Sequence, residues 1–157
     1  MKATLLLVAL TLLPLSALAQ YTAGTHFKIV SMSGAGNFCM DAADNKKADG
    51  TRVSMFTCHG QENQRWTVAT STEAGTAIIG TGGFCLDVRS ASTSAGAPVQ
   101  LYQCHFKGNQ RFVIGRDNTI KEQSSGKCLQ AAADKNGAPI VLAPCTGAVT
   151  EKWRFEQ

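Results

Sequence analysis

Beyond the first nineteen residues, apolar side chains come in short runs: Phe27-Lys28-Ile29-Val30, Val53-Ser54-Met55-Phe56, Ala77-Ile78-Ile79 and Val99-Gln100-Leu101-Tyr102. Gly, Ser, Asn, Thr and Asp bound each run, and short apolar stretches between turn formers predict short β-strands. Nowhere in this stretch do apolar positions recur at helical spacing over three turns, so the pattern predicts an all-β domain. The runs belong to a longer period. Phe38-Cys39-Met40-Asp41, Phe84-Cys85-Leu86-Asp87 and Lys127-Cys128-Leu129-Gln130 are versions of one motif. Each is followed by a second cysteine, Cys58, Cys104 or Cys145, and eight residues later by Trp66, Phe112 or Trp153. Three copies result, over about 27–68, 77–114 and 119–155, with about four strands expected in each. The links 69–76 and 115–118 are polar and too short to separate domains. A period of about 40 residues also suits helical arrays and propeller blades, but the first needs helices and the second about four blades. Three copies favour a closed body with threefold pseudosymmetry, whose interior Trp66, Phe112 and Trp153 would fill.

Residues 1–19 stand apart from the repeats. Lys2 precedes an apolar stretch from Leu5 to Leu15, and Ala17-Leu18-Ala19 forms a small-residue cleavage pattern, the signature of a secretory signal peptide. Pro14 interrupts the stretch, which is too short for a membrane-spanning helix of about 20 residues. Export predicts an extracellular protein, or a periplasmic one in a bacterium, with residues 20–157 as one domain. Losing the leader removes Lys2 and no acid, so the net charge falls from +4 to +3, and the basic residues are scattered. Nucleic-acid binding, which favours a basic stripe with interleaved aromatics, is not expected. Six cysteines in an exported chain imply three disulfides, and free pairing would allow 15 connectivities. Because the copies repeat one unit, each should close its own bridge: Cys39 with Cys58, Cys85 with Cys104, Cys128 with Cys145.

Asn63-Gln64-Arg65-Trp66 and Asn109-Gln110-Arg111-Phe112 resemble the Gln-x-Trp signature of the ricin B-chain type lectins, and Cys85-Leu86-Asp87-Val88 is similar to the cysteine-aspartate strand of that family. The resemblance extends over all three copies. It implies a β-trefoil with up to three carbohydrate sites, one per copy, and neither a catalytic centre nor a cofactor. There are departures from the pattern. Copy two carries Phe112 where the family has tryptophan. Copy three reads Thr150-Glu151-Lys152-Trp153, which keeps the aromatic residue and loses the asparagine and glutamine.

A sugar offers adjacent hydroxyls along an edge and C–H groups on a face, so a site needs planar acceptors and a flat apolar platform. By the resemblance, copy two supplies both. Asp87 would accept from neighbouring hydroxyls, Tyr102 would stack on the ring, and Asn109 would bond to a hydroxyl. Gln100 would add a polar contact, and Gln110 would hold the loop. Copy one keeps Asp41, Phe56, Asn63 and Gln64, with Ser54 in the place of Gln100, and reads as a second, weaker site. Two readings stay open here: Asp87 can merely tie a turn, and Phe56 can pack inward. Copy three has Gln130, Val141, Ala143, Thr150 and Glu151 at the matching positions, and no site is expected there.

Sites of this kind are weak singly, so the expected ligand is a polysaccharide or clustered glycan, with galactose or xylose residues favoured by the family. Hydrolysis is not expected. The repeat-related acids Asp41 and Asp87 would lie in separate pockets, whereas glycoside hydrolysis needs carboxyls about 5 to 9.5 Å apart. His59 and His105 follow the second cysteines without any metal-ligand spacing. Read as strand residues next to a buried cysteine, they should face outward at the surface or rim, with the sugar pocket as their other destination. A protein-binding trefoil, such as a protease inhibitor or a toxin's receptor-binding subunit, is the alternative function. A partner subunit is left open.

Overall fold

The computed structural model describes residues 24–34, 37–69 and 75–157; the expected leader lies outside the described residues, as does most of the first link. Among the described residues the chain forms twelve strands, four per copy. They are β1 (His26–Ser31), β2 (Phe38–Ala42), β3 (Thr51–Thr57) and β4 (Trp66–Val68) in copy one; β5 (Ile78–Ile79), β6 (Cys85–Val88), β7 (Val99–Tyr102) and β8 (Phe112–Ile114) in copy two; and β9 (Ile120–Glu122), β10 (Cys128–Ala131), β11 (Ile140–Ala143) and β12 (Trp153–Glu156) in copy three.

The first and last strands of each copy close a ring. Antiparallel ladders join β12 to β1, β1 to β4, β4 to β5 and β8 to β9. Single bridges, Thr76 opposite Phe112 and Thr119 opposite Lys152, complete the remaining two seams. The middle strands form three hairpins, β2–β3, β6–β7 and β10–β11, tied to one another by Thr51 opposite Leu101, Ser54 opposite Pro139 and Pro98 opposite Val141. A six-stranded barrel carrying three hairpins in threefold arrangement is a β-trefoil. Closure removes the open sheet edges that strands of two to seven residues could not protect alone.

The repeated aromatics fill the interior: Trp66, Phe112 and Trp153 are all fully buried. A buried indole N–H needs an acceptor. Trp66 Nε1 donates to the Met40 carbonyl at 3.0 Å, and Trp153 Nε1 to the equivalent Leu129 carbonyl at 2.9 Å. Phe112 has no such donor, so copy two keeps the packing without the bond. Packing around Trp66 also requires a glycine. A Cβ on Gly80 would lie 2.6 Å from Cζ3 of the Trp66 ring, and neither a buried indole nor the barrel wall has room to move. Gly80→Ala is therefore expected to cost about 1 to 3 kcal/mol through overpacking, read as a lower urea midpoint with unchanged slope.

The three disulfides join Cys39 to Cys58, Cys85 to Cys104 and Cys128 to Cys145, one inside each copy. Each pins the start of a middle hairpin to the loop beyond its second strand, where the candidate site residues lie.

Candidate functional site

Period-two alternation divides the side chains of β6 and β7. Leu86, Val88, Val99 and Leu101 face the core, none more than 1% exposed. The opposite face carries Asp87, Gln100 and Tyr102, because the register sets Asp87 against Gln100 and Cys85 against Tyr102. A single 3-10 turn, Gly108–Gln110, folds back over this face and delivers two amides to the carboxylate. Asp87 Oδ2 accepts from Asn109 Nδ2 at 2.8 Å and from Gln110 Nε2 at 2.9 Å, and Oδ1 accepts from Gln100 Nε2 at 3.0 Å. An ionised carboxylate has about four acceptor directions, so these three amides leave capacity for a further donor.

Gln110 holds the loop as well as the acid. Its carbonyl accepts from the N–H groups of His105 and Phe106 at 2.9 and 3.1 Å, and its amide also donates to the Gln103 carbonyl at 3.0 Å. Tyr102 stands beside the network with 39% of its surface exposed. Together Asp87, Gln100, Tyr102, His105 and Asn109 line a cleft of about 620 Å³. Further walls come from Arg89, Ser90 and Ala91 in the turn after β6, from Lys107, and from Asp49 and Gly50 of copy one.

Copy one repeats the network at nearly the same distances. Asp41 Oδ2 accepts from Asn63 Nδ2 and Gln64 Nε2, both at 2.9 Å, and the Gln64 carbonyl accepts from the N–H groups of His59 and Gly60 at 2.8 and 3.1 Å. Ser54 faces Asp41 across the ladder and is too short to supply the amide that Gln100 gives Asp87. Phe56 is 40% exposed, which closes the alternative of inward packing: the β2–β3 register puts it on the same outer face as Asp41.

Both histidines are exposed at the rim, as expected, but strand alternation is not what puts them there. Neither lies in a strand, so strand alternation does not govern them. Each sits in the loop after the second cysteine and turns toward the acid: Nε2 of His59 is 3.4 Å from Asp41 Oδ2, and Nε2 of His105 is 3.6 Å from Asp87 Oδ2. Nδ1 of His59 accepts the Gln61 N–H at 3.2 Å, and Nδ1 of His105 accepts the Lys107 N–H at 3.1 Å. With Nδ1 used as an acceptor, the neutral ring carries its proton on Nε2, aimed at the carboxylate. Burial raises the pKa of Asp41 and of Asp87 above the ordinary value of 3.8, opposed by the amide hydrogen bonds and the facing histidine. Both acids are poised to take up a proton earlier on acidification than an exposed aspartate.

Copy three exchanges the pair. Gln130 replaces the aspartate and donates to Thr150 Oγ1 at 3.0 Å. Glu151 replaces the loop glutamine, is fully buried, and accepts from the Thr146 and Gly147 N–H groups, both at 2.9 Å, and from the Thr146 hydroxyl at 2.7 Å. Every partner of Glu151 is a donor, so a carboxylate serves the loop, and no second acid faces it from the strand. Burial alone would raise the Glu151 pKa; the hydrogen bonds from Thr146 and Gly147 and the charge of Lys152 outweigh it and hold the group below its usual 4.5. A lowered native pKa contributes stability that is present above the unfolded value and lost as pH falls through the native one. Glu151→Gln is expected to destabilise at pH 7 and to flatten the loss of stability between about pH 5 and pH 3, measured by urea unfolding across that range.

Reading each copy separately misses one feature of the clefts. The loop before β3 donates from the Gly50 N–H to the Leu101 carbonyl of copy two at 2.9 Å, and the equivalent bonds run from Gly96 to Leu142 and from Gly137 to Met55, both at 2.8 Å. Each hairpin is therefore flanked by the preceding copy. Asp49 Oδ1 accepts the Gln103 N–H at 2.6 Å beside cleft two, and Asn136 Oδ1 accepts the Thr57 N–H at 2.7 Å beside the copy-one site. Ala95 holds that place next to copy three and has no side-chain acceptor. The aligned Asp49, Ala95 and Asn136, each just before a glycine, are the sequence signal that would have found these wall residues.

Two of the three hairpins of this closed trefoil present an amide-cradled acid beside an exposed ring. The chain belongs to the ricin-type β-trefoil lectin family. The model of the Ricin-type beta-trefoil lectin domain matches residues 74–157, and that of the Ricin-type beta-trefoil lectin domain-like family matches residues 17–102. Among solved structures, the chain is similar to the designed threefold-symmetric protein ThreeFoil, at 27% identity and a TM-score of 0.78, covering 84% of this chain and 98% of that one. It is also similar to an exo-β-1,3-galactanase from Clostridium thermocellum (20% identity, TM-score 0.77), covering 87% of this chain and only 31% of the enzyme. A ricin B-like lectin from Macrolepiota procera in complex with lactose matches at 17% identity and a TM-score of 0.71, covering 88% of this chain and 99% of that one. No curated protein matches the chain. Among the described residues, no helix is long and apolar enough to cross a membrane. Family membership supports carbohydrate binding.

Proposed function

We propose that this is a secreted, non-enzymatic carbohydrate-binding protein that recognises polysaccharide or clustered glycans containing galactose or xylose, through cleft two and the related site in copy one. One observation carries the reading: the same Asp–Asn–Gln network beside a half-exposed aromatic ring is built twice, by different sequences, in one chain. A turn needs no exposed ring next to its acid. A ring next to acceptors suits a ligand with both a C–H face and hydroxyls. The lactose bound by the Macrolepiota lectin favours galactose among the candidates. Three disulfides and the leader-like N-terminal sequence favour an extracellular location.

A single shallow site with a Kd near 1 mM supplies only about −4 kcal/mol, so function requires both sites to engage one chain or cluster, raising avidity by roughly 10² to 10⁴. Tyr102→Ala removes the platform of cleft two without disturbing the core, and Phe56→Ala does the same in copy one. Each is expected to weaken binding on a glycan array, and the pair together should abolish it while the near-ultraviolet circular dichroism stays native. Retention of full binding by the double variant would refute both sites.

A further inference from the structure

Cleft two differs from the copy-one site in charge. Arg89 and Lys107 line it, both exposed, and neither side chain forms an ion pair or hydrogen bond with any described residue. The acids of the same cleft are already engaged: Asp87 by three amides, and Asp49 by the Gln103 N–H. Two cations are thus left facing the opening without partners. In copy one, Ala43 stands where Arg89 is and Gln61 where Lys107 is, while Asp44 replaces Ser90. Two positive charges are absent there, and Asp44 adds a negative charge while Asn136 removes the one that Asp49 gives cleft two; the acid, its loop asparagine and glutamine and the ring are kept, and only the Gln100 amide is lost. What varies between the sites is therefore the charge around the shared hydroxyl-binding set.

We infer that cleft two takes a saccharide bearing an anionic substituent, a uronate carboxylate or a sulfate ester, with Arg89 and Lys107 meeting the charge, whereas the copy-one site takes an uncharged saccharide. The inference rests on the carbohydrate-binding reading above. Asp87 itself repels an anion, so the substituent must project away from the hydroxyl that Asp87 accepts, toward the side where the turn after β6 and the loop at Lys107 border the cleft. A guanidinium offers a fork of donors that fits a carboxylate or sulfate in two-point contact, and lysine adds a mobile point charge. A protein using both sites would then favour polymers that mix neutral and acidic residues.

The test uses the full mature protein carrying Phe56→Ala, so that cleft two is read by itself. Calorimetric titrations at 50 mM and 500 mM NaCl compare galactotriose, trigalacturonate and 6-O-sulfated galactotriose, with xylotriose and its glucuronate-substituted form as a second series. At low salt an acidic member should bind about fivefold or more tighter than its neutral counterpart, since two exposed ion pairs contribute modestly. That ratio should shrink toward one at high salt, and also in the Arg89→Ala/Lys107→Ala variant. Preference for the carboxylate or for the sulfate identifies which anion is meant, and either supports the inference. Equal binding of neutral and acidic members, or a preference that survives the double substitution, overturns it and leaves the carbohydrate reading intact. Absence of binding to every member overturns both.

Discussion

Asp87→Ala is expected to weaken saccharide binding in cleft two by roughly 10- to 100-fold, because a hydrogen bond to a charged acceptor contributes about 1.5 to 3 kcal/mol. The carboxylate orders the protein's amides, and in the proposed site its one remaining acceptor direction is what a ligand would use. Removing it leaves Gln100, Asn109 and Gln110 donating toward an empty place, with Gln110 fully buried and Asn109 and Gln100 nearly so. A stability loss of about 1 to 3 kcal/mol should therefore accompany the lost binding. Tyr102→Ala separates the two effects, since its ring is half exposed and outside the network. The wild-type protein offers a second control. Because the Asp87 pKa is raised, affinity should fall with acidification at a pH above that of an ordinary aspartate, as the protonated acid loses acceptor capacity. Protonation also relieves the cost of burying the charge, so the Asp87 contribution to stability moves in the opposite direction over that window. Titrations between pH 7 and pH 3.5 that find affinity constant would remove the carboxylate from the site.

Trp66→Ala is expected to cost about 3 to 5 kcal/mol, a large share of the roughly 5 to 15 kcal/mol that holds a domain folded. The indole is fully buried, its ring presses against the space kept open by Gly80, and its loss leaves the Met40 carbonyl without its donor. Trp66→Phe should be milder, because Phe112 already shows the barrel accepting a ring without an N–H in copy two. Urea unfolding of the oxidised protein, with disulfides intact in each variant, measures the order: wild type, then Phe, then Ala. A Trp66→Ala protein as stable as the Phe variant would mean the core does not depend on the repeated aromatic.

Much of this architecture was legible because the same unit is written three times. The spacing between paired cysteines, and from the second cysteine to Trp66, Phe112 or Trp153, is nearly constant, so local pairing and a shared interior followed from the chain alone. Alternation in Val99-Gln100-Leu101-Tyr102 already separated core from outer face. Phe56 and the two histidines were harder. Phe56 has a side chain that suits either face, and only the register with Cys39 and Asp41 decides which. Strand alternation does not reach His59 and His105, because the chain leaves the strand before them. The loop glutamines, Gln64 and Gln110, then capture the N–H groups that reorient each ring toward its acid. The walls contributed by Asp49 and Asn136 lay outside any reading confined to one copy.

By itself, the sequence determined the repeat, the pairing of cysteines within it, the apolar residues that fill a common interior, and the set of polar residues kept in two copies and exchanged in the third. These are local in sequence, set by spacing and by the alternation of side chains. Tertiary structure decided which surfaces meet. Closing the barrel places the loop of one copy against the hairpin of the next, through contacts between residues about fifty or more positions apart, so each hairpin is bordered by two copies and cleft two is walled by both. It also decided the charge around each cleft, since Arg89 and Lys107 gain meaning only once their turn and loop border the same opening. Such contacts depend on the relative placement of whole hairpins, which no spacing within a single copy encodes.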